Sequence, residues 1–245
     1  MLPRSADLEN DRAGTRRGAA TGVFASKGRP FRGSMAAHSV RLAAELLIGG
    51  LLSFTIGAGI PLGWLEVWGA PLERYLQLIG QHRRAWSWAN GFMLTAAVLN
   101  AAGLAVLAFQ VNQPPIVAGA AGYTIAAVFW ILIVTFRSTL SIWAADELAT
   151  SQRVPDSFVG IDQWNGMNFQ VYTAMGHAAQ AVVGLGLFAT PLVPTWVAGF
   201  TIVFSLAGFL SQMPGTSRIP RLRGFFIPIL MHAAPALIGI SLLLR

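Results

Sequence analysis

The chain contains no cysteine. Disulfides, thiolate metal sites, iron–sulfur clusters and thioether-attached haem are therefore excluded. It has one lysine, Lys27, and that residue lies outside every apolar segment, which excludes a retinal Schiff base. Charged residues make up only 11% of the sequence, where a soluble domain carries about 25%. A water-facing surface cannot be built from so few charges, so lipid must solvate much of this protein. There is no Gly-rich phosphate loop, no Gly-x-Ser-x-Gly elbow and no His-Glu-x-x-His pair. No alternation of apolar and polar residues points to a barrel.

What the sequence does have is apolar: 54% of its residues, with a mean hydropathy of +0.57. The net charge of +7 does not signal nucleic acid, because the basic residues sit in a polar N-terminal tail and in short loops, where they set membrane topology. The expected partner is the lipid bilayer, with other membrane subunits if the chain serves a larger complex.

Residues 1–36 are rich in Gly, Arg, Ser and Ala without an apolar period and read as a disordered basic tail. Met35 directly precedes the first apolar run and reads as an alternative translation start. Residues 37–245 read as one all-α, six-helix transmembrane domain. Its apolar runs fall at about 40–64, 88–109, 116–143, 171–192, 196–210 and 225–244. Most are long enough to cross about 30 Å of hydrocarbon, the fifth being the shortest. Between the first two runs, residues 71–80 place Leu72, Tyr75, Leu76 and Ile79 on one stripe, as in a short interfacial helix.

One face of the membrane receives long loops, expected at 65–87, 144–170 and 211–224. The other receives tight turns containing Pro114–Pro115 and Pro191–Pro194. Six tryptophans (Trp64, Trp68, Trp86, Trp88, Trp143 and Trp164) lie towards the loop face, as an aromatic belt would. Basic residues favour a cytoplasmic loop face if translation starts at Met35. With the tail included the bias cancels.

Ionisable groups inside spans cost roughly 2.5–3.5 kcal/mol on insertion scales, so each asks for a reason. His177 and His232 lie at matching positions on the fourth and sixth runs, roughly 10 Å below the loop face if the runs begin as expected. Two readings stand. Either each imidazole makes a helix–helix hydrogen bond, for example with Asn100, Gln180 or a carbonyl, or the pair binds a cofactor. Two histidines at equal depth are what a bis-histidine haem b needs, with Gly176 and Gly184 making room for the macrocycle. Arg137 is a candidate substrate contact near the loop-face end of the third run, or a snorkelling side chain. Glu45 is a candidate proton- or cation-coupling group, or the partner of Arg41 one turn away. Asp162, Gln163, Trp164, Asn165, Asn168 and Gln170 form the most polar run outside the tail and read as a solvated loop, or as a segment that caps the fourth helix or covers a cavity.

The segments Trp88-Ala89-Asn90-Gly91, Gly122-Tyr123, Phe136-Arg137-Ser138-Thr139 with Trp143-Ala144-Ala145, and Leu237-Ile238-Gly239-Ile240 resemble those of six-pass bacterial integral membrane proteins of unknown function. The resemblance covers about residues 38–245 and implies architecture and a bacterial cell-membrane location, but no activity. The expected role is a non-enzymatic component that handles a small molecule or an ion, or an accessory subunit. A haem b cytochrome and a structural subunit are the alternatives.

Overall fold

The computed structural model describes residues 30–59, 66–212 and 220–245. Every element among them is an α-helix: α1 (Pro30–Gly59), α2 (Glu66–Gly69), α3 (Leu72–Gln81), α4 (Arg83–Val111), α5 (Pro114–Ser151), α6 (Asp156–Phe188), α7 (Thr195–Ser211) and α8 (Pro220–Leu243). Four of these are long and apolar enough to cross a membrane: α1 from Ala37 onward, α4, α5 and α6. The helix α7 and the 230–243 stretch of α8 are apolar but shorter. Large apolar side chains cover the outside, including Phe109, Val203, Leu185 and Leu132, as expected of a surface solvated by hydrocarbon.

The helices close into a ring. α1 packs on α4 and α8, α4 on α5, α5 on α6, and α6 on α8, while α7 buttresses the seam between α6 and α8. Close approach of α5 and α6 depends on Gly119 and Gly186. A methyl group on Gly119 would run into Val183 and the Ala179 carbonyl, and one on Gly186 into Ile116. In lipid, where apolar surface gives no preference for a protein neighbour, such backbone contact is what holds helices together.

The boundaries differ from expectation in one informative place. α5 runs on to Ser151 and α6 begins at Asp156, so the long loop expected at 144–170 is only residues 152–155, and the polar run around Asp162 is helical. Hydropathy cannot distinguish a loop from a helix whose polar residues face inward. Here Phe158, Asn165, Asn168 and Tyr172, spaced seven, three and four residues apart on one helical face, are all buried. α1 likewise starts at Pro30, within the stretch expected to be tail. Residues 1–29 and the expected span end at 60–64 lie outside the described residues.

α5 has 38 residues and α6 has 33, about 57 and 50 Å of helix. Both exceed the hydrocarbon thickness of about 30 Å. Their loop-face ends therefore project beyond it and form a cap with α2 and α3. This cap has its own core of Val67, Leu76, Ile79, Trp86, Phe136, Leu148 and Phe158. The expected interfacial helix is α3, which packs on α5. Trp86, expected in the aromatic belt, is instead at the centre of the cap, whereas Trp88, Trp143 and Trp164 are exposed.

Candidate functional site

Five helices each turn polar or aromatic side chains towards the ring axis. On α4, Asn90, Met93, Ala97, Asn100, Leu104 and Leu107 alternate by threes and fours and are all buried. On α5, Tyr123 and Trp130 are one heptad apart, and on α6 Asn165, Asn168 and Tyr172 share a face. α1 supplies Phe54 and α8 supplies His232, also buried.

His232 is the hub. Asn100 Nδ2 lies 2.5 Å from His232 Nδ1 and donates to the Tyr123 hydroxyl at 3.4 Å. Phe54 stacks on the imidazole, with ring centroids 4.4 Å apart. Trp130 stands between Phe54, at 6.1 Å, and Tyr172, at 4.7 Å, and anchors itself by donating Nε1–H to the Met93 carbonyl. Tyr172 reaches towards the Tyr123 hydroxyl without a well-formed hydrogen bond, so its own hydroxyl is left over. His232 Nε2, Asn100 Oδ1 and Tyr172 OH have no hydrogen-bond partner among the described residues.

His177 matches His232 in depth. Eleven residues separate His177 from Phe188, His232 from Leu243 and Asn100 from Val111, which is about 16 Å from the tight-turn end and so near the middle of a bilayer. This is deeper than the sequence suggested, because α6 begins fifteen residues before the expected 171. The surroundings of the two rings differ, however. His177 faces α7, where Gly208 lies beneath the ring and Phe204 meets its edge at 6.2 Å. Neither of its nitrogens has a partner among the described residues. The two imidazoles remain near enough for a charge on one to be felt at the other. Met231 nevertheless fills the space over Gly176, and Ile202 the space over Gly184. Gln180 closes the same seam by donating to the Met231 carbonyl at 2.7 Å, while Ser205 donates to Gln180 at 3.4 Å. The two glycines expected to admit a macrocycle thus receive neighbouring helices. No group of three or more His, Asp or Glu able to hold a metal occurs among the described residues.

Arg137 lies on the Tyr123–Trp130 face of α5, two turns towards the cap. Its guanidinium sits 5.7 Å from the Trp130 ring and is electrostatically coupled to Asp162 of α6 and Tyr75 of α3. Trp86 donates to its carbonyl at 2.8 Å, and Tyr75 and Ser141 share a 3.4 Å hydrogen bond beside it. Burial pushes the Tyr75 phenol above its ordinary range, an effect that the nearby Arg137 charge partly offsets. This charged layer joins the cap to the ring. Glu45 belongs to neither. It accepts from Arg41 at 2.8 Å on the exposed side of α1, both side chains at least half exposed. A groove of about 530 Å³ between α4 and α5, lined by Ala105, Phe109, Val117 and Ala121, opens outward and does not reach the axis.

The sequence singled out His232, His177 and Arg137 and named Asn100 as a possible histidine partner, but it missed Phe54, Tyr123, Trp130, Tyr172 and Asn90. The available signal was the heptad spacing of Asn90 with Ala97, and of Tyr123 with Trp130 and Arg137, which puts polar and aromatic residues on one face of otherwise apolar helices. No family model matches the chain, and neither does any curated protein or solved structure.

Proposed function

We propose that this chain is a six-span integral membrane protein that handles a small polar solute or ion, without covalent chemistry, at a mid-membrane site formed by His232, Asn100, Tyr123 and Tyr172. One observation carries the reading. Three polar atoms, His232 Nε2, Asn100 Oδ1 and Tyr172 OH, lie inside a five-helix ring with no hydrogen-bond partner among the described residues, where an unmade hydrogen bond costs several kcal/mol. Groups kept polar at that cost in a membrane interior mark solute pathways more often than structure. The setting implied by the resemblance is a bacterial cell membrane.

The six-span count adds α7 and α8 to the four long helices. α8 has 24 residues, about 36 Å, and begins Pro-Arg-Leu-Arg, a basic start suited to an interface. Reporter fusions after Asn112 and after Arg245 should then report one compartment, and a fusion at Gln152 the other. Disagreement between the first two removes the six-span reading.

The function itself is tested in proteoliposomes by following protons, Na⁺, K⁺ and small neutral solutes such as urea. At least one should cross faster than in empty vesicles, and Asn100→Ala, which releases His232 and Tyr123, should abolish the excess. Vesicles no leakier than empty ones to all of these would set the reading aside.

A further inference from the structure

Along the ring axis, the buried polar atoms without a partner among the described residues fall in one half. Besides the three at the centre, Asn168 Nδ2, Asn165 Oδ1 and Asn90 Oδ1 also lack partners among the described residues. All three lie on the cap side of the centre. Counted from the tight-turn ends, Tyr172 and Trp130 stand sixteen residues in, Asn168 twenty and Asn90 twenty-one. Those positions are about 24 and 30 Å from the tight turns, compared with about 16 Å for Asn100 and His232. The unpartnered atoms thus form a ladder from the cap-side interface to mid-membrane.

The other half of the axis is different in kind. From the centre to the tight turns the buried residues are Leu47, Leu104, Leu107, Ile116, Val183 and Leu187. The buried polar side chains nearest that end, Thr201 and Ser241, are satisfied by the Val197 and Leu237 carbonyls of their own helices.

Buried polar atoms are almost always satisfied by protein or by ordered water. Six that have no protein partner among the described residues, rising in order along one side of a bundle axis, are places where water would bond. Three of the six are amide oxygens, and the faces of Trp130, Tyr172 and Phe54 line the same interior. Oxygen acceptors and aromatic faces favour positive charge. Arg137, a cation near the entrance, has Asp162 beside it.

We propose that the cap-side half of the axis is a hydrated half-channel. It admits water and a small monovalent cation through Asn165, Asn168 and Asn90 to His232, and it is closed towards the tight turns by the leucine-rich half. The proposal deepens the reading of the axis as a solute site and rests on it, but the test does not measure transport.

The native absence of cysteine makes the test direct. Single variants Asn165→Cys, Asn168→Cys and Leu104→Cys, with the outward-facing Val128→Cys as a lipid control, are exposed to Ag⁺ in sealed vesicles. They are then denatured and labelled with a maleimide, and unaltered protein sets the background. Ag⁺ has the size and charge of the proposed occupant. It should abolish later labelling of Asn165→Cys and Asn168→Cys and leave Leu104→Cys and Val128→Cys fully labelled. Access should also be one-sided, so vesicles of the opposite orientation should lose the effect. Full labelling of both Asn165→Cys and Asn168→Cys after Ag⁺ overturns the half-channel, as does equal protection of Leu104→Cys. Should one variant fold poorly, the other decides alone, and monodispersity on gel filtration shows which to use. Protection without transport would leave the half-channel standing and remove the transport reading. Transport without protection would do the reverse.

Discussion

His232 and His177 are the same residue type, at the same depth, on helices that touch, yet their surroundings have almost nothing in common. His232 faces the inside of a ring, with an amide on one nitrogen, an aromatic face against its own, and Tyr123 one contact further on. His177 faces the α6–α7 seam, where Gly208 leaves just enough space for a ring that is bonded to nothing described. Depth in the membrane sets the cost of an imidazole. Which way it turns decides what it can do. A polar group on a closed axis can be met by water or solute from one end. The same group in a helix–helix seam is a packing element whose nitrogens are a liability.

The comparison breaks most severely if Asn100 is not the support of His232. Asn100→Leu leaves His232 Nδ1 and the Tyr123 hydroxyl buried with one partner fewer. Each such loss costs about 1–3 kcal/mol, so the variant should unfold in detergent at least ~2 kcal/mol more easily. Gly50→Ala is an independent approach to the same contact, because its methyl would collide with the Asn100 amide. Both should weaken the protein, and a wild-type unfolding curve for both would mean that the Asn100–His232 contact contributes nothing.

Gly208→Ala probes the other side. Its methyl would fall within 2.6 Å of three His177 ring atoms, so either the ring or α7 must move. Overpacking of this kind costs about 1–3 kcal/mol. The double variant Gly208→Ala/His177→Ala should recover most of that loss, since removing the ring removes the collision. Additive losses would show that Gly208 matters for another reason, such as the path of α7.

A smaller effect is expected at the outer rim. Arg41 and Glu45 form an exposed i,i+4 pair on α1, worth about 0.3–0.5 kcal/mol. Glu45→Gln should change stability by no more than that and leave solute flux unaltered. Loss of flux in this variant would restore Glu45 as a coupling group and place a second functional centre far from the ring axis.

The sequence made the helices legible where their outer faces are apolar. The cores of α1, α4, α5, α7 and α8, and the amphipathic α3, follow from hydropathy and period alone. It failed at the first half of α6, where Asp162, Asn165 and Asn168 lower the local hydropathy to that of a loop although the last two face inward. The same blindness hid the site. A hydropathy profile averages around the helix, so an inner stripe of Asn90, Asn100, Tyr123 and Tyr172 disappears behind lipid-facing Leu, Val and Phe. Depth was readable by counting residues, and that found His177 and His232 together. Direction was not readable, and only direction separates them.

The change nearest to neutral in sign, and the sharpest for the comparison, is His177→Leu. The imidazole is buried, and neither nitrogen has a described hydrogen-bond partner. Replacing an unsatisfied polar group by an apolar one of similar volume removes a desolvation cost and gives up no bond, so the exchange is close to neutral or slightly stabilising. A change within about 0.5 kcal/mol of wild type is expected, with solute flux retained. His232→Leu should behave in the opposite way, because it strands Asn100 and removes the group at the end of the polar ladder. The pair therefore gives a difference of signs, which is more informative than either magnitude. If His177→Leu keeps its stability but loses flux, the seam between α6 and α7 belongs to the solute path and the distinction between the two histidines fails. If it loses stability as much as His232→Leu does, His177 has a partner that satisfies it in the membrane, and the seam is a second polar site.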